Sequence, residues 1–160
     1  MIRSATPADS EAICALYNPY VLETTITFEE AAISPAEMEN RIRETLPSLP
    51  WLLWEQDGSV CGYAHASKWK GRCAYRHSAE VTVYLDPAFT GRGIGSKLYG
   101  ALLADLRERG FHTAIGGIAL PNPASIALHQ RLGFRRVAHF EQVGWKFGHW
   151  IDVVYCQLLL

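Results

Sequence analysis

An apolar strand segment, Glu80-Val81-Thr82-Val83-Tyr84-Leu85, runs into the glycine-rich turn Thr90-Gly91-Arg92-Gly93-Ile94-Gly95-Ser96, and a long amphipathic helix begins inside that turn. Glycines remove Cβ atoms where consecutive backbone N–H groups must point outward, so the turn can wrap a pyrophosphate. The start of the helix adds unpaired N–H donors and the positive end of its dipole. The segment therefore predicts a phosphate cradle set between a strand and a helix. A Walker A loop would need GxxxxGK[ST], and no glycine here is followed by Lys-Ser or Lys-Thr. A dinucleotide fingerprint would need GxGxxG; Gly91-Arg92-Gly93 opens one, but Ser96 stands at the third glycine position.

The rest of the chain must supply a core for this cradle. At 160 residues, 49% apolar and 19% charged, it is expected to form one ordered domain over residues 1–160. A net charge of -1 and the absence of a basic run argue against nucleic acid as a partner. No apolar run approaches the ~18 residues of a membrane span, and no secretory leader pattern opens the sequence. Cys14, Cys61, Cys73 and Cys156 show neither CxxC spacing nor a disulfide framework, so a reduced, cytoplasmic protein is expected. The six histidines show no HxxxH or His/Cys pairing, and no metal site is expected.

Periodicity gives the order of elements. Residues 2–5 read as a short strand. Thr6-Pro7-Ala8-Asp9 supplies a cap, a proline at the first helical position and an acid in the first turn of a helix to about residue 21, with Ile13, Leu16, Tyr17 and Tyr20 facing inward. Ser34-Pro35-Ala36-Glu37 opens a second helix to about residue 45, with Glu37 placed to close a capping box. The β-prone stretch 24–28 lies between them. Strands over 51–55 and 60–69 flank an Asp57-Gly58 hairpin turn, and 79–85 is the next strand. The helix over 91–109 carries Ile94, Leu98, Leu102 and Leu106 on one side and stops at Gly110. A buried strand over 113–119, a helix over 123–132 capped by Asn122, and strands over 135–143 and 149–159 around a turn at 144–148 complete the chain.

The segment from Thr90 to Gly95 resembles the Q/R-x-x-G-x-G/A loop of the GCN5-related N-acetyltransferases, with Thr90 in place of the usual Gln or Arg. Asn122, Ala127, Leu128, Gly133 and Phe134 fit the same superfamily's N-x-x-A-x-x-L-Y-x-x-x-G-F/Y helix, with His129 where Tyr is usual. That His, the loop Trp69-Lys70-Gly71-Arg72-Cys73-Ala74-Tyr75, the strand from Ala79 to Tyr84 and the run Gly144-Trp145-Lys146-Phe147-Gly148-His149-Trp150-Ile151-Asp152 look like the branch that acetylates phosphinothricin, methionine sulfoximine and methionine sulfone.

The resemblance implies an α/β (α+β) fold: a mixed, mainly antiparallel central sheet with splayed fourth and fifth strands and helices on both faces. It implies acetyl-CoA as cosubstrate, held by Val83, Tyr84, Leu85, Gly91, Arg92, Gly93, Ile94, Gly95, Ser96 and Asn122. It places a small amine acceptor against Phe28, Lys70, Gly71, Arg72, Tyr75, Glu80, Val81 and Thr82. Glu80 would remove the ammonium proton, and His129 would protonate the departing thiolate or assist the base. An anionic acceptor suits the forked, positive donors of the 70–76 loop, whereas a polyamine or aminoglycoside would want an acidic pocket.

Each residue also has a plainer reading. Asn122 is a helix cap in either case. His129 could be a surface helix residue, Glu80 a sheet-rim acid, and Lys70, Arg72 and Arg76 a solvated loop face. Cys73 has no paired base and reads as a bystander. Another amine or a protein N-terminus as acceptor, or a non-catalytic acetyl-CoA sensor, are the competing functions. A sensor would be expected to lose Glu80 and His129. The aromatic run from Trp145 to Trp150 suits a homodimer contact.

Overall fold

The computed structural model describes residues 1–160. In chain order the elements are β1 (Ile2–Ser4), α1 (Ser10–Glu23), α2 (Pro35–Thr45), β2 (Trp51–Gln56), β3 (Ser59–Lys68), β4 (Ser78–Leu85), α3 (Ile94–Glu108), β5 (Thr113–Ala119), α4 (Pro123–Arg131), β6 (Arg135–Lys146) and β7 (His149–Leu159). The seven strands form one sheet in the order β1-β2-β3-β4-β5-β7-β6, antiparallel except where β4 meets β5. This is the element order and mixed sheet expected from the sequence.

Two apolar layers cover the sheet. On one face the α3 stripe Leu98, Leu102 and Leu106, fully buried, packs with Val81, Ala114 and Val154. On the other, Ile13, Leu16, Tyr17 and Val21 of α1 and Met38 and Ile42 of α2 pack on Trp51, Leu53 and Tyr63. Both helices turn apolar residues three and four apart toward the sheet, as a single buried stripe requires. α3 ends at Gly110, whose φ of 79° is the left-handed conformation that glycine supplies without strain.

Several local expectations are corrected. A 3-10 turn at Pro7–Asp9 precedes α1, because the Asp9 carboxylate pulls back onto the Thr6 N–H at 2.7 Å. At α2, Ser34 Oγ accepts from the Glu37 N–H at 3.2 Å, but the Glu37 carboxylate pairs with Arg41 instead of closing the box. Stretch 24–28 forms no strand; Thr24 Oγ bonds the Tyr20 carbonyl and turns the chain off α1. The turn expected over 144–148 shrinks to Phe147 and Gly148, with φ 52° and 78°, the backbone of a type I′ hairpin. Gly144 is a strand residue, and its missing side chain leaves room for the Phe28 ring: a Cβ there would lie 2.3 Å from Phe28 Cζ.

Candidate active site

β4 and β5 pair only at Ser78–Thr113, Ala79–Ala114 and Glu80–Ile115. Beyond Glu80 the two strands part: β4 stays with β3 to Leu85, and β5 stays with β7 to Ala119. A cleft of about 500 Å³ opens in the fork and passes through the sheet. The splay expected for the fourth and fifth strands is present.

The register fixes which backbone groups face this cleft. Asp86 N–H bonds Cys61 O on β3, so Glu80, Thr82 and Tyr84 bond toward β3, and Val81, Val83 and Leu85 turn their peptide groups to the other edge. Two of those carbonyls are taken, Val81 O by the Tyr99 hydroxyl at 3.1 Å and Leu85 O by the Tyr20 hydroxyl at 2.5 Å. Between them Val83 presents its N–H and C=O to the fork. Tyr84 lines the cleft as well.

At the wide end the glycine turn closes the cleft. Gly91 and Gly93, with φ of 72° and 75°, bend the chain so that a helix starts pointing into it, and neither would bring a Cβ near another atom. The first helical bond runs from Lys97 N–H to Gly93 O, leaving the amides of Ile94, Gly95 and Ser96 free of helical partners. A Cβ at Gly95 would sit 3.3 Å from Leu85 Cδ1, so this glycine sets how closely α3 approaches β4. The Ile94 side chain is buried in the core, and the Arg92 guanidinium lies over the Phe89 ring; only their amides belong to the turn's concave face. Asn122 caps α4 through Oδ1 to Ser125 N–H at 3.1 Å and lines the cleft.

His129 lies in the cleft wall, only 4% exposed. Nδ1 is 2.8 Å from the carbonyl of Ser125, which can only accept, so the ring proton sits on Nδ1. Nε2 is left as an acceptor and lies 3.0 Å from the Tyr99 hydroxyl, whose single proton is shared between this nitrogen and Val81 O. Burial pushes the imidazole pKa down and holds the ring neutral, with the Ser125 bond opposing that shift. A Cβ at Gly116 of β5 would lie 2.3 Å from Nε2, so the ring occupies space which that glycine vacates. The sequence reading missed Tyr99; its position five residues into a helix stripe gave no sign that its hydroxyl bridges Val81 and His129.

On the opposite sheet face, beside the next glycine, stands Glu80. A Cβ at Gly117 would lie 3.5 Å from Glu80 Oε1 and 3.1 Å from the Tyr155 ring. Burial raises the carboxyl's pKa, and Lys70 pulls it back. The carboxylate makes no hydrogen bond within the protein. Thr82 follows it on the same face, whereas the Val81 side chain points into the core. Lys70, Gly71, Arg72 and Tyr75 line a separate concavity of about 340 Å³ with Leu49 and Phe111. Of this loop only Lys70 acts on Glu80. Phe28 packs over Gly144, outside the cleft lining.

The sequence and the fold match proteins of known class. The GNAT acetyltransferase domain family matches residues 2–155. The chain belongs to the GNAT acetyltransferases. It is 39% identical over 163 residues to the L-amino acid N-acyltransferase MnaT of Escherichia coli, covering 99% of this chain and 93% of that protein. It is 38% identical to the L-methionine sulfoximine/L-methionine sulfone acetyltransferase of Salmonella typhimurium, covering 99% and 94%. A phosphinothricin acetyltransferase of Sinorhizobium meliloti, solved with acetyl-CoA, superposes with a TM-score of 0.96 at 36% identity, covering 100% of this chain and 88% of that one. This GNAT enzyme is thus an acyltransferase, and acetyl-CoA-dependent acetylation of an amine is its activity. No helix is long and apolar enough to cross a membrane.

Proposed function

We propose that the acceptor is the α-amine of a small amino acid or analogue with a polar side chain, of the phosphinothricin, methionine sulfoximine or methionine sulfone type. The observation that carries this reading is Glu80: a half-buried carboxylate without a protein partner, at the point where β4 and β5 part, under the influence of Lys70. An amine delivered there meets a base of raised pKa and, three residues on along β4, the free edge at Val83. The names of the relatives support an amino-acid acceptor, and the cationic 70–76 loop suits its anionic groups.

In the proposed reaction the amide turn from Gly91 to Ser96 carries the pyrophosphate, and the Val83 edge and Asn122 carry the pantetheine arm. Val83 N–H polarises the thioester carbonyl. The acceptor ammonium gives a proton to Glu80, the amine lone pair adds to the carbonyl carbon, and the C–S bond breaks as the intermediate collapses. The departing thiolate takes a proton from the Tyr99–His129 pair in the cleft wall, the second proton shed by the nitrogen as it becomes an amide restores that pair, and Glu80 releases its proton to solvent. The acetyl group passes directly, because a thioester is already activated and needs neither a metal nor an enzyme nucleophile. Phe28, Lys70, Gly71, Arg72, Tyr75, Val81 and Thr82 complete the acceptor's surroundings in this reading.

We read the protein as cytoplasmic, in keeping with its four free cysteines, and as acting without nucleic acid or membrane. We also read it as a homodimer of single-domain chains. Val143, Trp145, Phe147 and Trp150 are each more than half exposed around one hairpin at the sheet's β6 edge, an apolar patch that suits a second copy. Light scattering checks the dimer.

The activity test is thiol release from acetyl-CoA with a panel of amines. Methionine sulfone and phosphinothricin are expected to be acetylated far better than their carboxyl esters, and Arg72→Ala should raise the acceptor KM alone. Equal turnover of the esters, or of spermidine, would overturn the amino-acid reading.

A further inference from the structure

A second cavity, about 350 Å³, lies on the α1/α2 side of the sheet, and the proposed chemistry makes no use of it. It shares Thr82 and Tyr84 with the cleft and so joins it across β4. Along β3 it extends from Ser67, opposite Glu80, to Tyr63, opposite Tyr84. That is four strand residues, roughly 13 Å at strand spacing. A molecule whose amine sits at Glu80 therefore has a passage beside it, long enough for a methionine-sized side chain.

Tyr17, Glu29 and Arg41 pair among themselves in the wall of this passage, and the Tyr63 hydroxyl stands apart from them. Tyr63 is 2% exposed and its hydroxyl has no protein partner, yet that oxygen is not among the sealed, unsatisfied atoms. The hydroxyl is thus not sealed off, and the residue lines this cavity. Burial raises its pKa well above the ordinary value, so the phenol keeps its proton and can donate. The neighbouring Tyr84, with ring centroids 5.4 Å apart, is pushed up to about 12 by burial and keeps its proton as well, with the hydroxyls of Thr27 and Tyr17 within its hydrogen-bonding reach. The Arg41 guanidinium uses only Nη2 for its two carboxylate partners, Glu29 and Glu37. Behind them Trp51 stacks on His65 at 4.3 Å, and Trp51 Nε1 and His65 Nδ1 have no partner. Trp51 Nε1 and His65 Nδ1 are sealed, so the phenol of Tyr63 is the donor left without an acceptor, and it favours a ligand group that brings oxygen and no proton.

We infer that this passage is the specificity subsite for the acceptor's side chain, and that it selects side chains ending in hydrogen-bond-accepting oxygens, with the Tyr63 hydroxyl as a donor. The inference rests on the amino-acid reading of the acceptor. It explains why the buried hydroxyl of Tyr63 is kept without a protein partner where phenylalanine would fill the same space. It also separates two tasks: the fork aligns amine and thioester, and the passage measures what the acceptor carries at its far end.

The test is Tyr63→Phe, which removes one oxygen that bonds nothing in the protein. Steady-state thiol release is measured for methionine sulfone and for methionine, which has nearly the same length but no oxygen at sulfur. The variant should lose about three- to ten-fold in kcat/KM for the sulfone, the worth of one neutral hydrogen bond. Methionine and the acetyl-CoA KM should stay within about twofold of the parent on the same scale. The melting temperature should not fall, since no protein hydrogen bond is lost. An unchanged sulfone-to-methionine ratio overturns the subsite while leaving the amino-acid reading intact. If the parent enzyme acetylates neither amino acid, that reading falls and the subsite with it.

Discussion

Replacing Gly116 by alanine tests whether His129 matters through its position. The new Cβ would sit 2.3 Å from Nε2 and 2.8 Å from Cδ2, where ordinary contact begins at 3.4 Å, so the ring must retreat by about 1 Å. It has little room. Nδ1 is held at 2.8 Å by Ser125 O, Nε2 at 3.0 Å by Tyr99, and the Phe134 ring stands edge-on at 5.0 Å. Overpacking of this kind costs ~1–3 kcal/mol, which lowers the melting temperature by about 2–12 °C in a chain of this size. A displacement of ~1 Å at a reacting constellation is worth ~10²-fold in rate. Gly116→Ala is therefore expected to melt modestly earlier and to lose about 100-fold in kcat, with acetyl-CoA still binding. Gly117→Ala is the internal control. Its Cβ points to the other sheet face, 3.1 Å from the Tyr155 ring and 3.5 Å from Glu80, and should raise the acceptor KM with little change in melting temperature. Thiol-release kinetics and thermal melts on both variants decide the matter. A well-folded Gly116→Ala enzyme with full kcat would refute the role given to His129.

Three further outcomes are expected. Glu80→Gln should lower kcat by ~10²–10⁴-fold. Because burial raises the Glu80 pKa, its stabilising protonated form is fully present below the ordinary carboxylate value and is lost as pH rises through the raised one. Melts against pH should thus show the parent losing stability across that window and Glu80→Gln losing less, so that the inactive variant is the more stable at neutrality. Gly93→Val, which forces a β-branched residue to a φ of 75° and puts a Cβ into the amide turn, should raise the acetyl-CoA KM at least ~10-fold, while Thr90→Gln leaves it unchanged or lower. The Asp9 carboxyl, bound by the Arg3 guanidinium at 2.7 and 3.0 Å, is depressed to about 2 from 3.8; its contribution should persist above 3.8 and vanish as pH falls toward about 2, and Arg3→Met should move acid unfolding to higher pH.

What the sequence announced were features that act locally. The glycine turn, the Asn122 and Ser34 caps, the α3 stripe and the Asp57-Gly58 hairpin each declare themselves within a few residues, and each is found. What it concealed depends on elements far apart in the chain. Gly144 looked like a turn glycine because nothing nearby says that Phe28, 116 positions earlier, will lie across it. Tyr99 looked like one more core residue, since its hydroxyl acquires meaning only when α4 brings His129 beside it. Lys146 is 1% exposed, its ammonium satisfied by two carbonyls from the far end of α1 and the loop beyond, neither of which is near it in the chain. The basic residues at 70–76 line a concavity apart from the cleft, and only Lys70 bears on Glu80, a distance relation that the loop's own sequence does not carry.

That buried ammonium has a mechanical consequence. Lys146 Nζ donates to Val21 O at 2.7 Å and to Thr27 O at 2.8 Å, while Phe28 rests on Gly144 of the same strand. The loop after α1, which carries Ile26 at the cleft and Phe28 beside it, is thereby riveted to the exposed hairpin instead of hinging on α1. Whatever grips the hairpin from outside stiffens the wall of the cleft, and whatever fills the cleft is felt at the hairpin. With the rivet removed, as in Lys146→Met, two buried carbonyls would lose their donor and the loop would move free of the sheet's far edge. Protection of the Ile26 and Thr27 amides from hydrogen exchange would then no longer follow that of Trp145 and Lys146.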